Sequence, residues 1–356
     1  MALSQTQRSI VEKARSLGGG QQGVALTERD CEYLVAVIAK DLDLLQHFPE
    51  LPNDLPAFFE RRALSLEEAD LPGREFVPLF ERLTALIPDA DTYFSCLATL
   101  YKSRLKYERI LEEQPIPTLD QVGPRGLLQY GNLSTRALAG LLFWRKWMFD
   151  IDNRAGQETG YLFEPIIAYS IGGTPAGAQN SPIFRGGDKS KGRRQVDCIR
   201  GNNAYEIKIR VTIAASGQGR WKEELSFPQD CRASQYTPVL IVLDPTRNTR
   251  LDRLEAAFEA QGGKAYIENA WDHLDGLAGD TMAHFLERYV KEPIQAILAE
   301  APAGPELPEL VLRMGKNRFV VSVTGESYTS KRTPKSSEAS DKDSIPDDAD
   351  EIIPGS

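Results

Sequence analysis

The feature that most restricts the fold is a pair of alternating stretches, RRQVDCIR at 193–200 and AYEIKIRVTI at 204–213. Apolar and polar residues alternate in both, which is the period of a half-buried β-strand. The residues between them, Gly201, Asn202 and Asn203, are turn formers that tolerate a positive φ. The pattern therefore predicts a β-hairpin.

The segments around the hairpin predict an α/β core. Ser134 is expected to cap a helix through STRALAGLLFWRKWMFD, and a second helix through GQETGYLFEPIIAYSIGG ends at Gly172 and Gly173. After the hairpin, TPVLIVLD is continuously apolar, as in a strand covered on both faces. A helix (TRLDRLEAAFEAQ), a short strand (KAYIEN) and a helical stretch at about 281–299 follow. This order predicts an α/β core with a mixed central β-sheet flanked by helices.

The chain divides into three predicted regions. Residues 1–130 are predicted to be a helical N-terminal region, in which Thr27 and Asp30 have the spacing of a helix N-cap. Residues 131–325 form the core. Aromatic residues at 143, 144, 147 and 149 are expected to pack between these two regions, with base stacking as the alternative. Residues 326–356 are poor in aromatics and rich in Ser, Asp, Lys and Pro, and are predicted to be disordered.

Total charge argues mildly against a nucleic-acid binder, because the 356 residues carry a formal net charge of -9. The distribution of charge argues the other way. Between Pro182 and Arg220, nine basic residues stand against three acidic ones. The four cysteines form no CxxC pair, which indicates neither a disulfide framework nor a zinc site. With no signal peptide or membrane span in the sequence, we expect a cytoplasmic protein.

The hairpin carries a candidate catalytic set. Side chains two apart on a strand share a face, so Glu206 and Lys208 project together, and the tight turn can bring Asp197 beside them. Two converging carboxylates suit Mg²⁺, and a nearby ammonium can orient or help deprotonate an attacking water. Phosphodiester hydrolysis needs this combination, because the phosphate charge repels a nucleophile. The alternative is a surface hairpin that carries an ordinary ion pair.

Asp197, Glu206 and Lys208 resemble the motif of the PD-(D/E)xK nuclease superfamily. This resemblance implies that the α/β core is restriction-endonuclease-like. In many members a Glu on the preceding helix completes the metal site; Glu164 is similar to that element, and Glu158 is the alternative. Val196 departs from the motif, which has Pro at this position. The strings GGDKSKGRRQVDCIRGNNAYEIKIRV and VLIVLDPT further resemble the ApaLI-like group of type II restriction endonucleases, over about 130–300.

Two basic segments are candidates for DNA contact. The loop before the first hairpin strand is expected to contact phosphates, and the segment after the second strand to read base edges in the major groove. The alternatives are a solvated loop and an ordinary connection. The candidates are Lys189, Lys191, Arg193 and Arg194 in the first segment, and Gln218, Arg220 and Lys222 in the second.

The resemblance implies a Mg²⁺-dependent type II endonuclease that cuts double-stranded DNA at a short palindromic site and leaves 5′-phosphates and 3′-hydroxyls. Asp197, Glu206 and Glu164 would bind the metal, and Lys208 would position the water. A palindrome is read by a two-fold dimer, so a homodimer is expected. The resemblance suggests a hexanucleotide such as GTGCAC, and leaves the cut position open. The alternatives are a sequence-nonspecific repair or defence nuclease and a non-catalytic DNA-binding protein.

Overall fold

The structure is a computed structural model that describes residues 3–17, 23–67, 69–71, 73, 75–211, 218–300 and 307–334. It confirms the α/β class. Its helices are α1 (Gln5–Arg15), α2 (Glu28–Asp41), α3 (Arg62–Ser65), α4 (Phe76–Leu86), α5 (Ala90–Glu113), α6 (Leu119–Val122), α7 (Thr135–Ser170), α8 (Gln218–Ala233), α9 (Thr249–Ala260), α10 (Ala270–Leu277), α11 (Asp280–Leu286) and α12 (Glu292–Ala299). A π-helical turn at Glu287–Lys291 joins α11 to α12.

The strands form two sheets. The first sheet has the order β1-β2-β3-β4-β5. In it β1, β2 and β3 are antiparallel, whereas β3, β4 and β5 are parallel, so the sheet is mixed as predicted. The second sheet, β6-β7-β8, is antiparallel. The strands are β1 (Thr174–Ala176), β2 (Val196–Arg200), β3 (Asn203–Lys208), β4 (Thr237–Val242), β5 (Lys264–Tyr266), β6 (Leu310–Met314), β7 (Arg318–Val323) and β8 (Glu326–Lys331).

The predicted hairpin is confirmed as β2 and β3. Gly201 takes the positive φ of 57° that the turn requires, and Cys198 lies opposite Tyr205. The apolar run at 237–244 forms β4, which pairs with β3 on one side and β5 on the other. Its side chains are buried from Pro238 to Val242, because helices cover both faces of the sheet.

Two apolar clusters lie on opposite faces of the first sheet. The larger joins the N-terminal helices, α7, α11 and the side chains of Tyr205 and Ile207 on β3. The smaller joins α8 and α9 to Ala204 of β3 and to Leu240 of β4. Because the larger cluster runs without a break from α1 to the sheet, the N-terminal helices share a core with the nuclease-like region. Thr27 caps α2 as predicted, in a reciprocal pair with Asp30.

Two predictions about helices differ from the structure. The two helices expected between 134 and 173 are one helix, α7, of 36 residues. It begins at the predicted cap, Ser134, whose side chain accepts the N–H of Ala137. The segment expected to be a base-reading loop contains α8, whose Phe227 and Cys231 pack against the sheet. Helix α8 was missed because its polar residues outnumber its apolar ones.

The end of the chain also differs from the prediction. Residues 326–331 form β8 and do not belong to a disordered tail, whereas 335–356 lie outside the described residues. The inner face of the β6-β7-β8 sheet covers Trp144 and Trp147 of α7, and Phe319 lies 4.8 Å from Trp147 between ring centroids. These tryptophans therefore pack mainly under the C-terminal sheet, and Phe149 is exposed. No helix in the described parts is both long and apolar enough to cross a bilayer.

Candidate active site

Asp197, Glu206 and Lys208 share one face of the hairpin. The register places Ile199 opposite Ala204. Asp197 and Glu206 lie two residues further from the turn on their respective strands, and therefore on the same face of the hairpin. The two strands are joined at this point by a side chain as well, because the backbone N–H of Ile207 donates to Asp197 Oδ2 at 2.8 Å. This bond holds the Asp197 carboxylate against β3, which is the strand that carries Glu206 and Lys208.

Lys208 lies between two carboxylates. Its Nζ is 2.6 Å from Glu206 Oε1 and 3.7 Å from Glu224 Oε1. Only 16% of the Lys208 side chain and 13% of the Glu206 side chain is exposed, so the pair is screened weakly by solvent. Burial lowers the pKa of Lys208, but the charges of Glu206, Asp197 and Glu224 outweigh it and raise the pKa above its usual value. Lys208 is therefore an ammonium at neutral pH.

Asp197 lies in a region of excess negative charge. Burial raises its pKa well above the usual value, and the charges of Glu206 and Glu164 raise it further. Lys208 and the Ile207 N–H act in the opposite direction without cancelling the shift. The contribution of Glu164 shows that the end of α7 lies near the hairpin face. The side chain of Glu158, the alternative ligand, lies outside the described residues.

The chemistry of this set fits a hard divalent cation. Asp197, Glu206 and Glu164 supply carboxylate oxygens, which are the ligands that Mg²⁺ prefers. Their mutual repulsion is visible in the raised pKa of Asp197, and a cation would relieve it. In the described part of the chain, no three acidic, histidine or cysteine side chains already surround an ion position. One oxygen of Glu206 is instead engaged by Lys208.

Glu224 belongs to the site, although sequence reasoning did not find it. It lies on α8, three residues before Phe227 and seven before Cys231, and both of these are buried against the sheet. This helical spacing puts Glu224 on the inward face, where it approaches Lys208. Reading Glu224, Phe227 and Cys231 as one helical stripe would have identified it.

The basic loop before β2 is folded against α8. Gly187 has a φ of 71°, and a Cβ at this position would lie 2.7 Å from the Cβ of Ala233, so the loop backbone touches the helix. Gly186 N–H donates to Asp230 Oδ1 at 2.7 Å. Lys189 and Lys191 remain exposed on this supported loop. Arg193 is exposed too, and its guanidinium lies 5.1 Å from the Phe184 ring centroid.

Arg194 was predicted to contact phosphate, but the structure places it inside the protein. Its side chain is 9% exposed, and its Nη1 lies 2.6 Å from Asp230 Oδ2, whose side chain is 8% exposed. It also donates to Ser226 Oγ at 3.0 Å and to the carbonyl of Glu223. Arg194 therefore holds the loop to α8 and does not face solvent. Exposed and buried side chains alternate from Arg193 to Val196, and Arg194 occupies a buried position in this alternation.

The predicted base-reading residues lie at the start of α8. Lys222 is exposed on this helix. The side chains of Gln218 and Arg220 lie outside the described residues. Helix α8 thus connects the predicted recognition segment to Glu224 and Asp230, which contact the candidate catalytic lysine and the basic loop.

Comparison with known proteins decides the family. The family model described as "ApaLI-like restriction endonuclease" matches residues 68–291, which include the hairpin, α7, α8 and the whole first sheet. The chain belongs to the ApaLI-like restriction endonuclease family. It is 43% identical over 331 residues to the Type II restriction enzyme ApaLI of Acetobacter pasteurianus, covering 87% of this chain and 88% of that protein. No solved structure matches the chain.

Family membership confirms two sequence-based predictions. The predicted membership of the ApaLI-like group is confirmed, and the chain is a restriction endonuclease of the type II class. The matched range also covers every candidate active-site residue, including Glu224.

Proposed function

We propose that this type II restriction endonuclease is Mg²⁺-dependent, cuts double-stranded DNA at a short palindromic site and leaves 5′-phosphates. The observation that carries the proposal is that Asp197, Glu206 and Lys208 share one face of the hairpin, where burial and the charges of Glu206 and Glu164 raise the pKa of Asp197. Asp197, Glu206 and Glu164 would hold the metal. Such a charge excess is costly in a folded protein unless a cation uses it.

The roles of the protein groups follow from their positions. Mg²⁺, when bound, would neutralise charge on the scissile phosphate and lower the pKa of a bound water. Lys208 donates hydrogen bonds, and its place between Glu206 and Glu224 lets it orient a water molecule toward phosphorus. Glu224 restricts the direction of the Lys208 side chain. The Ile207 N–H fixes the Asp197 carboxylate, so the site is ordered by the sheet before DNA arrives.

Digestion of a sequenced plasmid tests this function. With Mg²⁺ we expect discrete fragments whose mapped ends repeat one short palindrome and carry 5′-phosphates, and with EDTA we expect no cutting. A smear of fragments would favour a sequence-nonspecific nuclease of the same fold. Binding without any cutting, across Mg²⁺, Mn²⁺ and Ca²⁺, would favour a non-catalytic DNA-binding protein.

We also propose a homodimer, because the chain exposes a large apolar surface around α6, the 3₁₀ turn at Gly123–Gln129 and the first half of α7. We call this the α6–α7 surface. Leu127 is 80% and Leu128 is 94% exposed. The other exposed members are Leu119, Tyr130, Leu133, Leu141, Met148 and Phe149.

The composition of the α6–α7 surface fits a second copy of the chain. The apolar cluster beneath this surface has Val122, Leu138 and Leu142 as its buried residues. The exposed apolar side chains of the surface outnumber them. Patches above about 600 Å² are unusual on monomers, and a stable interface buries about 800 Å² per partner. A groove on the same elements as the protruding leucines is lined by apolar and polar side chains, namely Val122, Leu142, Phe149, Gln121, Arg145 and Lys146. A protrusion and a recess on one patch suit a two-fold interface.

A further inference from the structure

The β6-β7-β8 sheet has an inner and an outer face of different character. Its inner face carries Leu312, Met314, Phe319, Val321 and Tyr328, which pack on the tryptophans of α7. The strand register puts the alternate residues on the outer face. This sheet lies after residue 291, beyond the range that the family model matches.

The outer face is basic. Arg313 lies opposite Val320, and Arg318 lies opposite Lys331, so all three cations point away from α7. All three are exposed. Lys316 is exposed in the turn between β6 and β7, next to the same end of the sheet. Glu326 starts β8 at the opposite end, and its register with Val323 puts it on the inner side.

Between these cations, the outer face carries hydroxyl groups and the side chains of Val311 and Val320. Ser322 lies opposite Ser327, with their Oγ atoms 2.7 Å apart, and Thr329 follows on the same strand face. Hydroxyl groups donate hydrogen bonds to phosphate oxygens, as arginine and lysine do. The face therefore presents donors and positive charge together, on a protein whose total charge is -9.

The Arg318–Lys331 pair brings two like charges directly opposite each other on neighbouring strands. Like charges directly opposite on neighbouring strands repel each other. Among the described residues, none of Arg313, Arg318 and Lys331 makes an ion pair that would offset this repulsion. A bound anion would remove the repulsion, and a row of phosphates would engage all three side chains.

We propose that the outer face of the β6-β7-β8 sheet binds the phosphate backbone of duplex DNA outside the cleavage site. The inference rests on the proposed cutting of double-stranded DNA. Trp147, under the sheet, and Glu164, at the active site, lie 17 residues apart on α7. A helix rises about 1.5 Å per residue, so the two ends are about 25 Å apart. A contact about 25 Å from the cleavage site would fall on flanking DNA, where phosphate contacts add affinity without reading sequence.

The test compares two variants with the same loss of charge. The first is R313A/R318A/K331A. The matched control is K40A/R253A/K264A, which removes three exposed cations from α2, α9 and β5. Binding to a 30-bp random duplex is measured by fluorescence anisotropy in EDTA, at several salt concentrations. Thermal unfolding of each variant checks that it is folded.

We expect the sheet variant to bind about tenfold to a hundredfold more weakly at 0.1 M salt, with a salt slope reduced by about 2 to 3, since each phosphate contact contributes about 0.9. The control should bind within about twofold of the parent. In cleavage, the sheet variant should raise KM and leave kcat unchanged, because its residues lie away from the chemistry.

Equal binding and equal salt slopes in the sheet variant and the parent would overturn the inference. The same comparison is then made in a chain that ends at Pro334. This chain lacks the acidic segment 335–356, which has seven carboxylate residues and two lysines and would repel DNA. Unchanged affinity in that form too would leave the sheet without a role in DNA binding, while cleavage by the parent would still support the nuclease. Failure of the parent to cut any DNA would instead count against the proposed function.

Discussion

Asp197 is less stable as an anion in the free protein than it would be in water, because burial and the charges of Glu206 and Glu164 both oppose its ionisation. The site is thus arranged for an added cation and is strained without one. Functional sites commonly carry such a cost in stability.

Asp197→Asn should therefore stabilise the metal-free protein while removing its response to metal. The variant loses repulsion but also a ligand, so we expect unfolding in EDTA at a temperature about 1–3 °C above that of the parent, since about 1 kcal/mol shifts Tm by about 1–2 °C in a chain of this size. Mg²⁺ should raise the Tm of the parent and leave that of the variant unchanged. Thermal denaturation with and without Mg²⁺ measures both effects. An equal Mg²⁺ response in the two proteins would show that Asp197 is not a ligand.

Arg194→Ala should destabilise the fold by about 3–5 kcal/mol, because it leaves Asp230 buried without its partner. Lys191→Ala is the control from the same loop: Lys191 is exposed, so the change should stay within about 0.5 kcal/mol. Urea denaturation compares the two. Similar free energies of unfolding for both variants would contradict the structural role assigned to Arg194.

The sequence predicted the residues whose positions follow from local periodicity. Asp197, Glu206 and Lys208 lie on one face because strand alternation and a short turn leave no other arrangement. Arg194 and Glu224 were misjudged or missed because their environment is set by α8, an element whose polar composition hides its buried stripe. Their partners, Asp230 and Lys208, are 36 and 16 residues away in sequence.

At the scale of elements, α7 connects the C-terminal sheet, the α6–α7 surface and the proposed metal ligand Glu164. Its end is packed tightly against the hairpin: a Cβ on Gly173 would lie 2.2 Å from the Cys198 Sγ. By contrast, a Cβ on Gly140, near the start of the helix, would meet nothing within 4 Å.

These two glycines predict opposite effects of the same substitution. Gly140→Ala should stabilise the protein by about 0.5–1 kcal/mol, because alanine favours a helix interior over glycine. Gly173→Ala should destabilise it by about 1–3 kcal/mol through overpacking against β2. It should also slow cleavage, since it displaces the end of α7 that carries Glu164. Chemical denaturation and single-turnover cleavage check both. A Gly173→Ala protein with parental stability and rate would refute this coupling.

Elements with a strong local signal were predicted well. The hairpin, β4 and α9 each show a clear period or a continuous apolar run, and each is present. The continuity of α7 was missed because glycines at 156 and 160 resemble a break. Strands β6 to β8 were missed because their outer face mixes two valines with charged and hydroxyl residues, and their inner residues pack on tryptophans that are distant in sequence. Sequence alone does not distinguish such strands from a polar segment, because the contacts that bury them come from distant residues.

At the scale of the whole molecule, the N-terminal helices are part of the core and do not form a separate layer around it. The larger apolar cluster contains α2, α4, α5, α7 and residues of the sheet. The predicted boundary near 130 therefore marks a change of sequence pattern, whereas the packing continues across it.

The α6–α7 surface predicts that Leu128→Asp separates the proposed dimer, since a buried carboxylate in an apolar interface has no partner. We expect the parent to have the mass of two chains in light scattering and the variant the mass of one. The monomer should nick one strand of a plasmid more readily than it cuts both. Lys40→Ala, at an exposed position on α2, should remain dimeric. A parent of single-chain mass at micromolar concentration would contradict the homodimer.

The central claim is that the acids and the lysine on the hairpin perform the cleavage. Its most direct test is single-turnover cutting of a plasmid by Lys208→Ala and by Lys264→Ala, a lysine exposed on β5 of the same sheet, with DNA binding measured in parallel. We expect Lys208→Ala to bind DNA at close to the parental affinity and to cut it about 10²–10³-fold more slowly, as when a positioned hydrogen-bond donor at the reacting centre is removed. Lys264→Ala should keep the parental cutting rate. A Lys208→Ala enzyme that cuts at the parental rate would contradict the account.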